Sequence, residues 1–254
     1  MSAEWPASIT IRNAQGPSPF VLICEHASNW MPPDYGGLGL PLAALSRHIA
    51  WDIGALDLAR HMAARLDATL VEAGASRLLI DLNRPTDCAS SIPEMSEATV
   101  IPGNCGLAEA ERQHRIETWF YPFQSGIARL LDTRLSANRA SVIVAVHSFT
   151  PIFLGQARAM QAGILYRHSH RFGAALVEAL SGAGRAIAHN QPYQIDDASD
   201  YTIPIHGERR GLDAVLLEIR QDLIATPGGV ADWAERLCAA LVASDPTQPP
   251  AATQ

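Results

Sequence analysis

The sequence predicts an α/β fold, a three-layer α/β/α sandwich with a mixed, largely parallel central sheet. Three short apolar runs carry this prediction: residues 19–24 (PFVLIC), 141–146 (SVIVAV) and 215–217 (VLL). They lack the alternation of apolar and polar residues found in half-exposed strands, so they are typical of strands buried on both faces. Helical patterns lie between the runs, and strands that alternate with helices favour a sheet covered on both sides.

The other elements follow from local spacing along the chain. Leucines and isoleucines at helical intervals predict a helix that would contain Asp52. Gly74 separates two β-type runs, and Pro122 favours a break in a long helix because proline removes a hydrogen-bond donor. In order, we predict a strand at 19–25, a helix at 41–65, strands at 68–71 and 77–82, a helix at 107–137, strands at 141–147 and 163–166, a helix at 171–180, a strand at 214–219 and a helix at 230–242.

Three long connecting segments have little periodicity. Residues 27–39 and 86–106 are rich in proline and glycine, and residues 190–211 are polar. Loops of this length are uncommon in compact domains and often carry function. Since 27–39 directly follows the first strand, we expect it on the same side of the sheet as the functional site.

Length and composition limit the classes of protein that fit. We expect one domain at 1–244 and a proline-rich, disordered tail at 245–254. The formal net charge of −7, without a basic block, argues against a nucleic-acid partner. No apolar run approaches the ~20 residues of a membrane span. The four cysteines lack a paired spacing and the first residues lack a signal-peptide pattern, so we expect a cytoplasmic protein.

Two histidines follow buried-strand patterns, which places them where open α/β sheets bind ligands. His26 follows the first apolar run and His147 follows the central one. Two histidines and a carboxylate are a common zinc-binding set. The carboxylate is either Asp52 or Glu25, and the neighbouring position of Glu25 on the strand turns it away from His26. The alternatives are hydrogen-bonded structural histidines and an Asp52 on a solvated helix face.

Glu218 and Arg84 also end apolar runs. A glutamate within such a run is costly to bury unpaired, so Glu218 either pairs with Arg220 or a helix terminus or acts as a general base on water. The planar guanidinium of Arg84 suits a carboxylate or an oxyanion, and the alternative is a capping or salt-bridge role. No GxSxG, GxGxxG, Walker or HExxH motif is present.

Five local motifs together resemble the N-formylglutamate amidohydrolase family, and the resemblance extends over about residues 18–240. That family is similar in fold to the zinc carboxypeptidases and aspartoacylases. The longest and most specific motif is residues 76–85. The motifs are EHASN at 25–29, WDIG at 51–54, SRLLIDLNRP at 76–85, VHSFTP at 146–151 and EIRQD at 218–222.

The resemblance implies a metal-dependent hydrolase that cleaves an amide bond and releases formate from N-formylglutamate, with one zinc ion per chain. His26 and His147 match metal ligands. Asn29 stands where the related carboxypeptidase motif, His-x-x-Glu, has its acidic ligand, so we expect Asp52 to supply it. Where the N-formylglutamate deformylases proper have Pro-His, this chain has Glu25-His26. Where they have a histidine, it has Asp52. These two differences imply a divergent branch of the family.

The resemblance also implies substrate contacts. Asn83 and Arg84 match a pair that holds a substrate carboxylate or polarises the scissile carbonyl, and Glu218 matches a late-strand general base. We expect Glu218 to take a proton from water, zinc and Arg84 to stabilise the oxyanion, and Glu218 to protonate the leaving amine. Residues of second rank, for orienting ligands or substrate, are Asn29, Ser148, His206 and Arg220.

Two other functions fit the same residues. One is an amidase that acts on a different small carboxylate-bearing substrate, an N-acyl amino acid or a peptide-like bond, with residues 190–211 shaping the choice. The other is a binding protein that kept the fold without catalysis, although so many polar groups at strand ends argue against it. Manganese, iron or cobalt could use the same ligands as zinc.

Overall fold

The structure is a computed structural model that describes residues 6–248, except the side chain of Ala183. Its strands, in chain order, are β1 (Ile9–Arg12), β2 (Phe20–Cys24), β3 (Thr69–Ala73), β4 (Met95–Ser96), β5 (Thr99–Val100), β6 (Val142–Phe149), β7 (Ile152–Phe153), β8 (Gln156–Ala157), β9 (Ala162–Leu165), β10 (Ile187–His189) and β11 (Ala214–Arg220). The α-helices are α1 (Leu42–Leu45), α2 (Ala55–Leu66), α3 (Glu109–Arg115), α4 (Tyr121–Ser136), α5 (His170–Leu180) and α6 (Pro227–Ala243).

Seven strands form the central sheet, in the order β1-β3-β2-β6-β11-β9-β10. The four strands β3, β2, β6 and β11 run parallel to one another, whereas β1 and the β9-β10 pair run antiparallel to their neighbours in that block. Helices cover both faces, and on one of them α6 packs against both α2 and α5. The predicted three-layer α/β/α sandwich with a mixed, largely parallel sheet is therefore confirmed.

The two central strands explain the position of the functional site. Every residue of β2 and β6 is buried, as expected for strands covered by helices on both faces. From β2 the chain passes through α2 to β3 on one side, while β6 lies on the other side of β2. The carboxyl ends of two such strands border the crevice in which open α/β sheets bind ligands.

The predicted helix at 41–65 is wrong in its middle. Helix α1 ends at Leu45 and α2 begins at Ala55, and the intervening residues form turns. Gly54 has a positive φ of 81°, a conformation that only glycine adopts readily and that a helix interior cannot contain. Asp52 therefore lies in the turn before α2 and not within a helix.

The predicted strand at 77–82 is also wrong, although its apolar side chains are buried as expected. The segment forms turns, and polar side chains from distant elements bond its carbonyl oxygens where a neighbouring strand would otherwise do so. Asn104 donates to Leu78 O at 2.9 Å and Gln124 donates to Leu82 O at 2.6 Å. Buried backbone groups need partners of some kind, and apolar content alone does not reveal which kind.

Smaller differences concern the ends of the chain and the long helix. Strand β1 lies before the first predicted element, because a short, largely exposed edge strand has little apolar signal. The long helix is continuous, and the π-helical segment Ile116–Phe120 joins α3 to α4 just before Pro122. The predicted disordered tail lies mostly outside the described residues, and residues 245–248 form a turn. In the described range, no helix is both long and apolar enough to cross a membrane.

Candidate active site

Three buried residues meet at the carboxyl ends of the central strands. His26 follows β2, His147 lies near the end of β6, and Asp52 comes from the turn before α2. Each offers one ligand atom, and these atoms lie within 4.8 Å of one another. We call these three residues the metal-binding group, because they are able to hold a metal ion.

The Asp52 carboxylate lies between the two histidine rings. Its Oδ2 is 3.4 Å from His26 Nδ1 and 2.9 Å from His147 Nδ1. The backbone N–H of Ser148 donates to the same oxygen at 3.2 Å. Burial alone would raise the pKa of Asp52, but the two histidines outweigh it and hold this pKa below its usual value. Asp52 is therefore an ionised carboxylate fixed between two nitrogens.

The outer nitrogen of each histidine faces another carboxylate. His26 Nε2 lies 2.7 Å from Asp81 Oδ1, and His147 Nε2 lies 3.1 Å from Glu25 Oε2. A carboxylate at one ring nitrogen holds the proton there and leaves the other nitrogen free to bind a metal. Both Nδ1 atoms point toward Asp52, so the geometry assigns Asp52 to the metal-binding group and Glu25 to the support of His147.

Arg77 holds the acidic residues in place. Its Nε and Nη2 donate to Asp81 Oδ2 at 2.9 and 2.5 Å, and its Nη1 donates to Asp52 Oδ1 at 3.2 Å. Burial would raise the pKa of Asp81, but Arg77 and His26 lower it well below its usual value. Arg77, Asp81 and the supporting role of Glu25 were missed from the sequence. In the sequence, Arg77 and Asp81 are two opposite charges four residues apart within the apolar run of residues 76–85, and this spacing could have indicated them.

The donor set fits a zinc ion. Zinc binds imidazole nitrogen and carboxylate oxygen, and ligands about 2.1 Å from a tetrahedral ion lie about 3.4 Å from one another. The two distances from Asp52 Oδ2 to the histidine Nδ1 atoms, 2.9 and 3.4 Å, are close to this spacing, and the full set of ligand atoms lies within 4.8 Å. Three protein ligands would leave a fourth position for water, as in catalytic zinc sites.

Glu218 lies beside the metal-binding group in a cavity of about 470 Å³. It is paired with His147 across β11 and β6, and it is 5% exposed. Its Oε2 makes no hydrogen bond in the described structure. Burial raises the pKa of Glu218 to about 7, which is the range that suits a general base near neutral pH.

Arg84 and Asn83 both line the cavity but differ in their contacts. Arg84 Nη1 lies 3.6 Å from Asp200 Oδ1, and the side chain is 26% exposed. Asn83 is buried, and its Oδ1 accepts the backbone N–H groups of Tyr201 and Thr202 at 3.2 and 2.9 Å. The Asn83 side chain therefore fastens the 200–202 segment, while the guanidinium of Arg84 faces the cavity.

The four second-rank residues are placed differently from one another. Ser148 lines the cavity, where its N–H holds Asp52. Asn29, His206 and Arg220 are not among the residues that line it: Asn29 donates to Leu45 O, His206 Nε2 lies 2.7 Å from Gln124 Oε1, and Arg220 pairs with Asp222. Of this set, the structure brings only Ser148 into the site.

Comparison with known proteins agrees with the geometry. The family model for N-formylglutamate amidohydrolase matches residues 18–225. The crystal structure of gene product Atu2144 from Agrobacterium tumefaciens is 38% identical, with a TM-score of 0.91 and 94% of each chain covered. N-formylglutamate amidohydrolase from Ralstonia eutropha JMP134 shares the fold at 17% identity, with a TM-score of 0.65, covering 94% of this chain and 97% of its own. No curated protein matches the sequence. The chain belongs to the N-formylglutamate amidohydrolase family, whose members are hydrolases of amide bonds.

Proposed function

We propose that this protein is a zinc-dependent amidohydrolase that cleaves the N-formyl or N-acyl amide of an amino acid, in the manner of an N-formylglutamate amidohydrolase. The observation that carries the proposal is the buried metal-binding group, His26, Asp52 and His147, at a cavity that Glu218 and Arg84 also line. The family match supports the reaction class. The ligand chemistry supports a metal.

His26, Asp52 and His147 would hold one zinc ion. When bound, the metal would polarise the amide carbonyl and lower the pKa of a water molecule. The residues around the metal-binding group set the protonation and the orientation of its side chains. Asp81 and Glu25 keep the protons of the two histidines on the outer nitrogens, and Arg77 fixes the Asp52 carboxylate from the other side.

Glu218 is the proposed general base and acid. With its pKa near 7, its carboxylate can accept the proton of the attacking water at a side-chain oxygen. It can return that proton to the amide nitrogen as the carbon–nitrogen bond breaks. Its burial beside His147 keeps the proton within the cavity between the two steps.

Arg84 is the proposed partner of the substrate carboxylate. Its planar fork matches a carboxylate, and Asp200 at 3.6 Å shows that a carboxylate can approach it in this position. Asn83 acts through Arg84, because its bonds to Tyr201 and Thr202 hold the segment that carries Asp200, the ion-pair partner of Arg84. Substrate binding and metal binding are thereby assigned to adjacent parts of one cavity.

The proposal is tested by metal content and formate release measured together. Elemental analysis of the purified wild type should find close to one zinc ion per chain, and His147→Ala should lose it. The zinc-loaded wild type should release formate from N-formyl amino acids, and Glu218→Gln should keep the metal without the activity. A wild type that binds no zinc when zinc is supplied would contradict the proposal, as would an unimpaired Glu218→Gln variant.

A further inference from the structure

We infer that the substrate is an N-acyl amino acid with a single carboxylate and an apolar or aromatic side chain. This inference rests on the proposed function, because it names the substrate class of the same site. Three observations carry it. Few arginines line the cavity, these arginines differ in how closely protein carboxylates pair with them, and apolar side chains line the cavity beside Glu218.

The chain is poor in groups that can neutralise a bound carboxylate. It contains no lysine, and its 19 basic residues other than histidine are all arginine. A carboxylate taken into a cavity needs a charged partner, since burying an unpaired charge is costly. The arginines that line the cavity are Arg77 and Arg84.

Arg77 is already paired within the site. Its guanidinium donates three hydrogen bonds to Asp81 and Asp52, and moving it would disturb the support of the metal-binding group. Its charge is thus balanced by two protein carboxylates, and three of its five N–H groups are already used within the site.

Arg84 is the arginine whose donors are available. Its guanidinium makes no hydrogen bond within the described range, and its ion-pair partner Asp200 is 3.6 Å away. The cavity histidine outside the metal-binding group, His48, faces Glu97, with Nε2 3.1 Å from Oε1. The cavity therefore offers cationic recognition to one carboxylate.

Beyond Glu218, on the side away from the metal-binding group, two leucines line the cavity. Leu216 lies two residues before Glu218 on β11 and so faces the same side of the sheet, and Leu165 is paired with it across β9. Both line the cavity. Three aromatic side chains also line the cavity, Phe149, Phe153 and Tyr193, and we call them and the two leucines together the apolar wall.

Arg158 fixes the aromatic part of the wall. Its guanidinium carbon lies 4.6 Å from the ring centre of Phe153, 5.1 Å from that of Tyr193 and 5.6 Å from that of Phe149. Its Nη1 also lies 3.2 Å from the Tyr193 hydroxyl. Cation–π contacts stabilise such a cluster, and Arg158 does not itself line the cavity. The apolar wall is thus formed before a ligand binds.

Arg84 and the two leucines of the apolar wall lie on opposite sides of the reacting groups. Arg84 belongs to the same segment as Asp81, which contacts His26 at the end of β2. Leu165 lies on β9, and strands β6 and β11 separate β9 from β2 in the sheet. A substrate with its carboxylate on Arg84 directs its side chain to the apolar wall. The second carboxylate of N-formylglutamate would lie there beside Glu218, where no cation among the described residues lines the cavity because Arg158 contacts the rings from outside the lining, and this is unfavourable.

Binding to zinc-loaded Glu218→Gln protein, measured by isothermal titration calorimetry, tests the inference without turnover. N-formyl-L-phenylalanine and N-formyl-L-leucine should bind at least ~10-fold more tightly than N-formyl-L-glutamate. The substitution removes a negative charge near the wall, so it favours glutamate and makes the test stringent. Equal or tighter binding of N-formyl-L-glutamate would overturn the inference.

Formate release by the wild type on the same compounds separates the two possible failures. Release with a preference for N-formyl-L-glutamate rejects the inference and keeps the proposed function. Tighter binding of the apolar compounds, without hydrolysis of any N-formyl compound or of its N-acetyl counterpart, rejects the proposed function and keeps the inference about the ligand.

The wall itself is tested by substitution in the Glu218→Gln background. Phe153→Ala should reduce the preference for N-formyl-L-phenylalanine over N-formylglycine by about tenfold, because the ring loses its contact. Ile152→Ala is the matched control, since Ile152 is 59% exposed and points to the other side of the same short strand. An unchanged preference in Phe153→Ala would overturn the assignment of the wall.

Discussion

Asp81 Oδ1 lies 2.7 Å from His26 Nε2, on the far side of the imidazole from Asp52. The contact fixes both the orientation of the ring and the nitrogen that carries the proton. Arg77 bonds both Asp81 and Asp52, so one arginine connects the metal-binding group with its support. This arrangement leads to the first prediction.

Asp81→Asn should weaken zinc binding by about 10- to 100-fold, because a neutral amide no longer holds the proton on the outer nitrogen of His26. Competition with a chromophoric zinc chelator measures the change in dissociation constant. Asp57→Asn, at an exposed position of α2, is the control and should bind zinc as the wild type does. An unchanged affinity in Asp81→Asn would show that Asp81 does not support the site.

Glu218→Gln should keep zinc and lower kcat by roughly 10²- to 10⁴-fold, the usual contribution of a positioned general base. The amide keeps the size of the side chain but cannot accept the proton of water. Steady-state formate release, with metal content measured on the same samples, gives both quantities. Near-normal turnover would rule out the role assigned to Glu218.

The pH dependence of turnover should follow the ionisation of Glu218. Burial raises its pKa to about 7, and only the deprotonated form can act as a base. A zinc ion nearby lowers this pKa, so the value of kcat/KM should rise with pH and level off at or below about pH 7. The residual activity of Glu218→Gln should lack this rise, and a rise of the same size in that variant would assign the titration to another group.

His206 should make the fold sensitive to acid. Burial lowers its pKa to about 4, whereas the unfolded chain binds the proton at about 6.5. The folding free energy that this histidine contributes is complete above the unfolded pKa and is lost as pH falls toward the folded one. At about pH 5 the loss is about 2 kcal/mol.

Urea unfolding of the wild type and His206→Gln at about pH 7.5 and about pH 5 measures this loss. Glutamine can still donate to Gln124 Oε1, which lies 2.7 Å from His206 Nε2, and it does not titrate. The variant should lose less stability than the wild type between the two conditions. Parallel losses in the two proteins would contradict the prediction.

Gly54→Ala should destabilise the fold by about 1–3 kcal/mol. Gly54 has a φ of 81°, and a Cβ there would lie 2.5 Å from Ile224 O. Urea unfolding gives the free energy, with Gly228→Ala as the control, since no atom lies within 4 Å of a Cβ at Gly228. Because Gly54 sets the turn that carries Asp52, a Gly54→Ala variant as stable as the wild type would contradict the account of this turn.

The strand ends could be predicted from the sequence because a buried parallel strand has a distinctive composition. The runs before His26, His147 and Glu218 are apolar without alternation, and parallel strands end at the same edge of a sheet. The sequence therefore predicts that His26, His147 and Glu218 lie close together, and in the structure all three line one cavity. The fold class is confirmed for the same reason, whereas the family, which the five local motifs indicated, is confirmed by the family model.

The supporting residues could not be predicted because they depend on turns. Asp81 and Arg77 reach the site only because residues 77–82 form a turn and not a strand. Asn29 and His206 had the same polar character as the site residues, but side-chain type does not reveal direction. Each of them bonds within the protein, at Leu45 O and Gln124, away from the cavity.

The metal-binding group uses imidazole nitrogen and carboxylate oxygen, with no sulfur among its ligand atoms. Cys24 stands two residues before His26, but it is fully buried and burial raises its thiol pKa well above the usual value. Thiolate is the form that oxidants attack. The metal-binding group therefore offers peroxide or disulfide reagents no thiolate or thioether to modify.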